Sequence, residues 1–361
     1  MAITPVHALV YGEAGRFAAW PANNGVWSWD GGSEVLVGFV TGTFTNRERP
    51  HNVLPPYRHH FARTTDGGQS WSVETPESFP KEGAPLQPRT DPLDFTSPTL
   101  ALRFIGTYYH GSSEPRGGFA VSQDRGKTWQ GPFALSGLDR EPELTDAVLT
   151  TRTDYLPIDA ENCLAFLSAR PQHVQNMTDF AFVAKLSEGG RAASFVSWIV
   201  PPTDPYRAVM PSTVALDNGE LVSALRRRQL DAEVNWVDLY TSPDFGQTWQ
   251  HRSKVGETGI ANGNPPALLR LRDHRLVCCY GDRGTRRMCA RLSNDGGVTW
   301  GAEITLRDGF HQDTEDDADF GYPRAFQAPD GAVVTVYYWS SPEQPVQHIA
   351  ATRWNPEDIA G

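Results

Sequence analysis

A short segment that ends in tryptophan occurs four times in the sequence and constrains the fold more than any other feature. The copies start at Thr64, Ser122, Ser242 and Ser293, and each has the pattern Ser/Thr-x-Asp-x-Gly-x-Ser/Thr-Trp. A weaker fifth copy occupies residues 186–195. The acidic residues of the five copies, at positions 66, 124, 188, 244 and 295, are 51 to 64 residues apart. Near-even spacing of this kind indicates one repeated structural unit per copy.

The residue types in this repeat are those of a tight hairpin turn. An aspartate accepts hydrogen bonds from nearby backbone N–H groups, and glycine adopts a positive φ without steric cost. The serine or threonine adds a second bond between side chain and backbone. These aspartates are therefore predicted to stabilise turns rather than to take part in chemistry.

A second repeat, consisting of strand, polar turn and strand, separates these turns. It occurs six times, at residues 27–39, 100–109, 155–166, 213–225, 267–280 and 325–337. Six such hairpins, in a chain whose short strands alternate apolar and polar residues, predict an all-β, six-bladed β-propeller. We expect it to form one domain over residues 1–361. The segment from Gln347 to Trp354 is expected to pair with the N-terminal strand and close the ring.

Composition and charge narrow the classes of partner. The formal net charge of −11 argues against nucleic-acid binding, which needs a basic face. The N-terminus lacks a basic region followed by an apolar one, and no apolar stretch is long enough to span a membrane. We therefore expect a cytoplasmic protein that binds neither nucleic acid nor membranes. Its oligomeric state stays open.

The four cysteines are spaced unlike zinc ligands. Cys278 and Cys279 are adjacent, while Cys163 and Cys289 stand alone. No CxxC pair or Cys/His cluster is present, so four reduced thiols in strands are expected. Sequence motifs for nucleotide binding and for zinc-dependent hydrolases are also absent, and the sequence predicts no metal and no cofactor.

The repeated turn described above is called an Asp box, and Asp boxes in a six-fold repeat resemble those of the sialidase superfamily. The chain looks most like bacterial sialidase-like BNR-repeat proteins over nearly its whole length. That superfamily includes exo-sialidases (neuraminidases), other glycosidases, lyases and binding proteins. The resemblance implies the propeller fold and a carbohydrate substrate. Fold alone does not choose among these activities.

The resemblance also implies a set of site residues. Sialidases hold a sugar carboxylate with three arginines, and the matching positions are Arg16, Arg226 and Arg283, with Arg286 and Arg287 as rivals for the third. The nucleophilic tyrosine opens the last blade, which makes Tyr322, in Gly321-Tyr-Pro-Arg-Ala-Phe, the candidate nucleophile.

Two carboxylates of the sialidase pattern are missing. Pro211 and Ser212 stand where the glutamate that activates the tyrosine is expected. No aspartate occurs between Gly31 and Thr65, where the acid/base is expected. That stretch offers Glu48, His51, His59 and His60 as candidates instead. These departures weaken the expectation of sialoside hydrolysis.

The residues just before each hairpin are expected to crowd around the propeller axis, and many of them are polar. They are Arg16; Asp94 and Phe95; Arg152 and Asp154; Arg207 and Met210; Asn262 and Asn264; Asp319, Tyr322 and Arg324. Arginine suits a carboxylate or sulfate, and carboxylates among arginines suit acid/base work on a sugar.

Several of these residues have a second interpretation. Arg152 and Asp154 bind substrate and donate a proton, or they form a structural ion pair. Asp319 is the base for Tyr322, or it merely ends an acidic loop. His51 is the acid/base or an exposed loop histidine, and His59 and His60 are expected to be strand residues. Arg227 is expected to face solvent, because neighbours on a strand alternate between faces.

Three functions remain open. The leading hypothesis is a glycoside hydrolase for an acidic or deoxy sugar, and the alternatives are a lyase acting on a uronate polymer and a non-catalytic sugar-binding propeller. The catalytic candidates are Tyr322, Asp319, Asp154 and His51. The substrate-binding candidates are Arg16, Arg152, Arg226, Arg283, Arg324 and Asn264.

Overall fold

A computed structural model describes residues 4–45, 51–106, 117–150, 152–172, 178–232, 234–311 and 318–358. The first strands are β1 (Val6–Tyr11), β2 (Arg16–Ala19), β3 (Val26–Trp29), β4 (Glu34–Phe44), β5 (Val53–Thr64), β6 (Ser72–Glu74), β7 (Ala101–Ile105), β8 (Gly118–Ser122) and β9 (Gln130–Ala134). The next are β10 (Ala147–Leu149), β11 (Tyr155–Pro157), β12 (Cys163–Pro171), β13 (Phe180–Ser187), β14 (Ala192–Trp198), β15 (Arg207–Ala215), β16 (Leu221–Gln229), β17 (Val234–Ser242) and β18 (Gln250–Gly259). The last are β19 (Ala267–Arg270), β20 (Leu276–Asp282), β21 (Arg287–Ser293), β22 (Ile304–Arg307), β23 (Gly321–Gln327), β24 (Val333–Trp339) and β25 (His348–Trp354).

Helices are few and short. The α-helix is α1 (Pro21–Asn24), and the 3₁₀ turns are Asp30–Gly32, Leu138–Arg140, Pro142–Leu144, Glu188–Gly190 and Pro356–Asp358. Within the described ranges, none of these helices has the length and apolar character needed to cross a bilayer.

The strands form six antiparallel sheets, one for each predicted blade, and the six-bladed β-propeller is confirmed. In chain order the sheets are β2-β4-β5-β6 with β3 beside β4; β7-β8-β9; β10-β12-β13-β14 with β11 beside β12; β15-β16-β17-β18; β19-β20-β21-β22; and β23-β24-β25-β1. We number them blades 1 to 6.

The sixth blade combines the first and the last strand of the described chain. Its outer strand β1 pairs antiparallel with β25, and Val6 lies opposite Arg353. The pairing of the C-terminal and N-terminal segments that the sequence predicts is therefore confirmed.

The first strand of the predicted hairpin at residues 100–109 is present. Residues 101–105 form the single strand β7, which pairs with β8 so that Leu102 lies opposite Val121. All five residues of β7 are buried, although β7 is the end strand of the sheet β7-β8-β9. The polar residues after it were interpreted as a turn, and residues 107–109 lie outside the described part of the chain.

The residues cluster into two compact units. One contains Met1–Thr75, Asp231–Asp238 and Ser253–Gly361, and the other contains Pro76–Leu230 and Leu239–Arg252. The first unit has two apolar cores, one around Phe17, Phe39 and Tyr338, the other around Phe320 and Trp339. The cores of the second unit lie around Phe104, Phe182 and Leu167, and around Phe166 and Leu225.

The four repeated turns use the hydrogen bonds expected of them. In the fourth, the Gly297 N–H donates to the Ser293 hydroxyl at 2.8 Å, and Asp295 accepts both the N–H and the hydroxyl of Thr299. Partial burial would raise the pKa of Asp295, but the bonds from Thr299 outweigh it and lower that pKa to about 2. Asp295 thus stabilises the turn.

The four cysteines are free, buried thiols, as predicted. Burial raises the pKa of each of them above its usual value. Such thiols are poor nucleophiles, and they pack as small apolar side chains.

Candidate active site

Tyr322 lies on a β-bulge at the start of blade 6. The register of β23 against β24 shifts between Gly321 and Arg324, which lie opposite Tyr338 and Val336. Gly321 has φ 100° and Tyr322 has φ 50°, a left-handed conformation that is costly for a tyrosine. A bulge of this kind re-aims a side chain out of the regular alternation.

The same backbone device occurs in blade 4. The register of β15 against β16 shifts between Val209 and Ser212, and Met210 has φ 60°. Met210 and Tyr322 are both among the pre-hairpin residues predicted from the sequence. The backbone is therefore irregular at both of these predicted positions.

Four residues of the first unit lie around the carboxylate of Asp319, and we call the five residues together the Asp319 cluster: Asp319, His51, Arg283, Tyr322 and Tyr338. His51 Nδ1 lies 3.1 and 3.0 Å from the two Asp319 oxygens. The Tyr338 hydroxyl donates to Asp319 Oδ1 at 2.5 Å, and Arg283 Nη2 lies 3.7 Å from that oxygen. The buried carboxylate is thus held from three sides.

The charges around Asp319 keep it ionised. Burial would raise the pKa of Asp319, but the charge and hydrogen bond of His51 lower it, and Arg283 and Tyr338 act in the same sense. Burial and the neighbouring carboxylate raise the pKa of Tyr338 well above its usual value. Tyr338 therefore stays a neutral donor to an Asp319 anion.

His51 is the accessible member of this pair. Its side chain is 39% exposed, whereas that of Asp319 is 2% exposed. Burial would lower the pKa of His51, but the charge and hydrogen bond of Asp319 outweigh it and raise that pKa. Because Asp319 is an acceptor, Nδ1 carries the proton and Nε2 is left for other chemistry.

The indole of Trp20 fixes the other side of the imidazole. The Trp20 and His51 rings meet edge to face with centroids 5.1 Å apart. Trp20 also contacts the Tyr338 ring at 6.4 Å, and it has φ 63°. His51 is therefore held by an aromatic contact as well as by Asp319.

Arg283 lies between the carboxylate and Tyr322. Its Nη2 donates at 3.3 Å to the Phe320 carbonyl and at 3.3 Å to the Tyr338 hydroxyl. Its guanidinium carbon is 5.9 Å from the centre of the Tyr322 ring. Tyr322 is half-buried, and its ring lies 5.9 Å from that of Tyr338. A cation and a phenol thus lie next to the His51–Asp319 pair.

Asn264 and Arg324 contact backbone groups near the cluster. Asn264 is fully buried, and its side chain bonds to the backbone of Phe320 and Tyr322. Arg324 is also buried, and its Nη2 donates to the Ala22 carbonyl at 2.7 Å. The structure therefore gives both predicted sugar ligands backbone partners.

Arg16 has its described contacts elsewhere in the first unit. Its Nη2 donates to the Thr41 hydroxyl at 3.1 Å. With residues 12–15 and 343–348 it lines a cleft of about 360 Å³. No described contact joins it to the Asp319 cluster, so its carboxylate-binding role remains a prediction.

Three candidates belong to the second unit. Arg226, in β16, is 2% exposed, and its Nη1 is 3.9 Å from the Met210 sulfur. Arg152 is buried and donates to the Thr150 carbonyl at 2.7 Å. Asp154 is half-buried, and its carbonyl accepts the Phe166 N–H. Their roles in binding and catalysis remain predictions.

The prediction that Arg227 faces solvent is wrong. Arg227 is 2% exposed, and its guanidinium bonds to Asp204 at 2.7 Å. The rings of Tyr206 and Tyr240 lie 5.9 Å from it. The first seven residues of β16 are all buried, so alternation along this strand does not separate buried residues from exposed ones.

Sequence reasoning missed Trp20 and Tyr338, and it did not anticipate Asp179. Tyr338 lies in β24, and nothing in the local sequence marks it as a hydrogen-bond donor to Asp319. Asp179 forms a buried ion pair with Arg207 at 2.6 Å. His60 lies in β5 between the hydroxyls of Thr41 and Thr75, as expected of a strand residue. Glu48 lies outside the described residues.

A family model described as BNR repeat-like domain matches residues 60–335. The chain belongs to this family. The resemblance to sialidase-like BNR-repeat proteins is therefore confirmed. A comparison with functionally curated proteins found no match.

Solved structures share the fold at low sequence identity. A protein of unknown function from Dyadobacter fermentans is 20% identical with a TM-score of 0.72, and 97% of each chain is covered. An α-L-arabinanase of Penicillium chrysogenum in complex with arabinobiose is 11% identical with a TM-score of 0.60, covering 99% of this BNR-repeat protein and 100% of that chain. The GH93 α-L-arabinofuranosidase of Fusarium graminearum with arabinobiose is 11% identical with a TM-score of 0.59, covering 97% and 96%. The TM-scores show a common fold, and at these identities the likeness shows the fold alone.

Proposed function

We propose that this BNR-repeat protein is a glycoside hydrolase whose active site is the Asp319 cluster. The observation that carries the proposal is the pair of a half-exposed His51 and a buried Asp319, 3.0 Å apart, beside Tyr322. An accessible titrating group backed by a buried partner of opposite charge is the arrangement that general acid/base catalysis requires.

In the first step, His51 is the acid. Its imidazolium, stabilised by Asp319, gives the Nε2 proton to the glycosidic oxygen as the bond to the anomeric carbon breaks. Tyr322 loses its phenolic proton to solvent as it attacks that carbon, with the Arg283 guanidinium 5.9 Å from its ring offering positive charge, and the phenolate that leaves in the second step regains a proton from solvent. A covalent glycosyl-tyrosine results.

In the second step, His51 is the base. Neutral after the first transfer, its Nε2 takes a proton from water as the water oxygen attacks the anomeric carbon and displaces Tyr322. His51 thus takes the place of the aspartate that the sialidase pattern expects, and the cycle restores the imidazolium next to Asp319.

The proposed substrate is an acidic or deoxy-sugar glycoside at a chain end. Arg283 is the guanidinium of the cluster, 5.9 Å from the Tyr322 ring, and Arg16 of the same unit remains a proposed ligand for an anionic group. Because the arabinan-degrading enzymes share the fold, arabinofuranosides belong in the same substrate screen.

The proposal is tested with a panel of aryl glycosides of acidic, deoxy and pentofuranosyl sugars. On any substrate that the wild type cleaves, Tyr322→Phe is expected to lower kcat by at least about 100-fold, because the nucleophile is lost. Tyr337→Phe is the matched control, since Tyr337 bonds to Thr352 outside the cluster. Full activity of Tyr322→Phe contradicts the proposal.

A lyase is the second candidate, and one observation favours it. His51, Tyr322 and Arg283 together supply two potential bases and a cation that can neutralise a uronate carboxylate. Removal of the proton α to that carboxylate would produce an unsaturated product. New ultraviolet absorbance with uronate polymers, without hydrolysis of aryl glycosides, would replace the hydrolase by the lyase. Saturable binding without turnover would leave a sugar-binding propeller.

A further inference from the structure

The side chain of Asn264 bridges two backbone groups of the segment that carries Tyr322. Its Oδ1 accepts the Tyr322 N–H at 2.8 Å, and its Nδ2 donates to the Phe320 carbonyl at 3.2 Å. The residue is 0% exposed. A short side chain with one acceptor and one donor is needed for this bridge, and among the short side chains only the amide of asparagine offers both at fixed positions.

The residue enclosed by this bridge has to be glycine. Gly321 has φ 100°, and a Cβ there would lie 2.1 Å from the Oδ1 of Asn264. Gly281 is restricted in the same way, since a Cβ there would lie 2.6 Å from the Asn264 Nδ2. Asn264 is thus enclosed by two glycines that leave room for its amide.

The bridged carbonyl also holds Arg283. Phe320 O accepts Arg283 Nη2 at 3.3 Å in addition to the Asn264 amide. The Phe320 ring is fixed between Phe310 at 4.5 Å and Trp339 at 5.1 Å. Asn264 is therefore connected to the cation of the cluster through the Phe320 carbonyl and to the phenol through the Tyr322 N–H.

Blade 4 has the same device without the same chemistry. There the Ser168 hydroxyl accepts the N–H of Met210, which also has positive φ, at 3.2 Å. Ser168 is completely buried, like Asn264. A buried polar side chain that holds the N–H of a left-handed bulge residue therefore occurs twice, and Ser168 provides a matched control.

We propose that Asn264 is a positioning residue that fixes the peptides of residues 320–322 and thereby the relative placement of the Tyr322 phenol and the Arg283 guanidinium. This inference rests on the proposed function, because it gives Tyr322 a role in the reaction. Asn264 touches no substrate in this account.

The test compares Asn264→Ala, Asn264→Asp and Ser168→Ala. On the substrate that the wild type cleaves, Asn264→Ala is expected to lower kcat about 10- to 100-fold with little change in KM, because misplacement by about 1 Å has that cost. The pH at which activity falls on the basic side should stay unchanged, because His51 and Asp319 keep their contact. Ser168→Ala should lower the melting temperature but leave kcat unchanged.

Hydrogen exchange of the peptide that contains residues 318–327 provides a readout independent of activity. The Tyr322 amide should exchange faster in Asn264→Ala than in the wild type. In Asn264→Asp, which keeps the hydrogen-bond acceptor, part of the protection should be restored. If Asn264→Ala does not fold, Asn264→Asp still tests the inference through lowered kcat. Inactivity of the wild type on every glycoside overturns the proposed function, whereas unchanged exchange and kcat in the folded variants overturn the role of Asn264.

Discussion

Replacing Asp319 by asparagine should lower the pKa of His51, and the size of the effect follows from the geometry. The shape of the side chain is kept while one negative charge 3.0 Å from Nδ1 is removed. Two unit charges about 4 Å apart interact by about 4 kcal/mol at an effective dielectric constant of about 20.

Solvent screens part of this interaction, because the His51 side chain is 39% exposed. We therefore expect Asp319→Asn to lose less than this free energy of interaction, and the pKa of His51 to decrease. The sign follows from linkage: a raised pKa means that folding favours the imidazolium. The stability from the pair is complete below the unfolded pKa of 6.5 and is lost as pH rises through the folded value.

The assay is an NMR titration of the histidine ring protons, with His51→Gln identifying the His51 resonance. Ser341→Ala serves as a control for nonspecific change, because Ser341 lies outside the cluster. The midpoint of His51 should lie above its usual value in the wild type and should decrease in Asp319→Asn. An unchanged midpoint would refute the electrostatic account of the pair.

Three further predictions concern stability and turnover. Asp295→Asn should destabilise the fold by about 1 kcal/mol at neutral pH, and the difference should vanish as pH falls from about 4 towards the folded pKa of about 2, measured by urea unfolding at several pH values. Arg207→Met should cost about 3–5 kcal/mol because the buried Asp179 loses its ion-pair partner and keeps the hydrogen bond from Thr150, and Arg207→Met with Asp179→Asn should recover part of this in thermal unfolding. Gly321→Ala should lower both stability and kcat more than Gly331→Ala, because both glycines have positive φ but only the Cβ at 321 meets another atom within 4 Å; equal effects would contradict the steric argument.

The repeats and their turns were predictable because their bonds are local. The hydroxyl of Ser293, the carboxylate of Asp295 and the N–H of Gly297 lie within five residues, so the sequence pattern states the contact directly. The location of Tyr322 was predictable too, since its distance from the next hairpin sets its place on the strand. Local spacing does not show which other side chains contact Tyr322.

The partners of Asp319 were beyond sequence reasoning. His51 and Asp319 are 268 positions apart, and no periodicity relates them. The sequence left His51 open between an acid/base and a loop residue, and left Asp319 open between a base for Tyr322 and the end of a loop. Only the folded chain brings these two side chains together.

Burial on both faces of a strand explains the error at Arg227. Alternation separates inside from outside when one face of a sheet meets water. In β16 the first seven residues are buried, so Arg226 and Arg227 both lie inside and each finds its own partner. In such a strand, arginine is a poor indicator of exposure.

The most direct test of catalysis at the Asp319 cluster is to trap the covalent intermediate. The wild type is incubated with a 2-fluoro glycoside of the sugar that it hydrolyses, carrying a good leaving group, and its peptides are analysed by mass spectrometry. Our account predicts that the peptide with Tyr322 gains the mass of one glycosyl residue and that Tyr322→Phe gains none. A stable adduct on another residue, or turnover that continues in Tyr322→Phe, would contradict it.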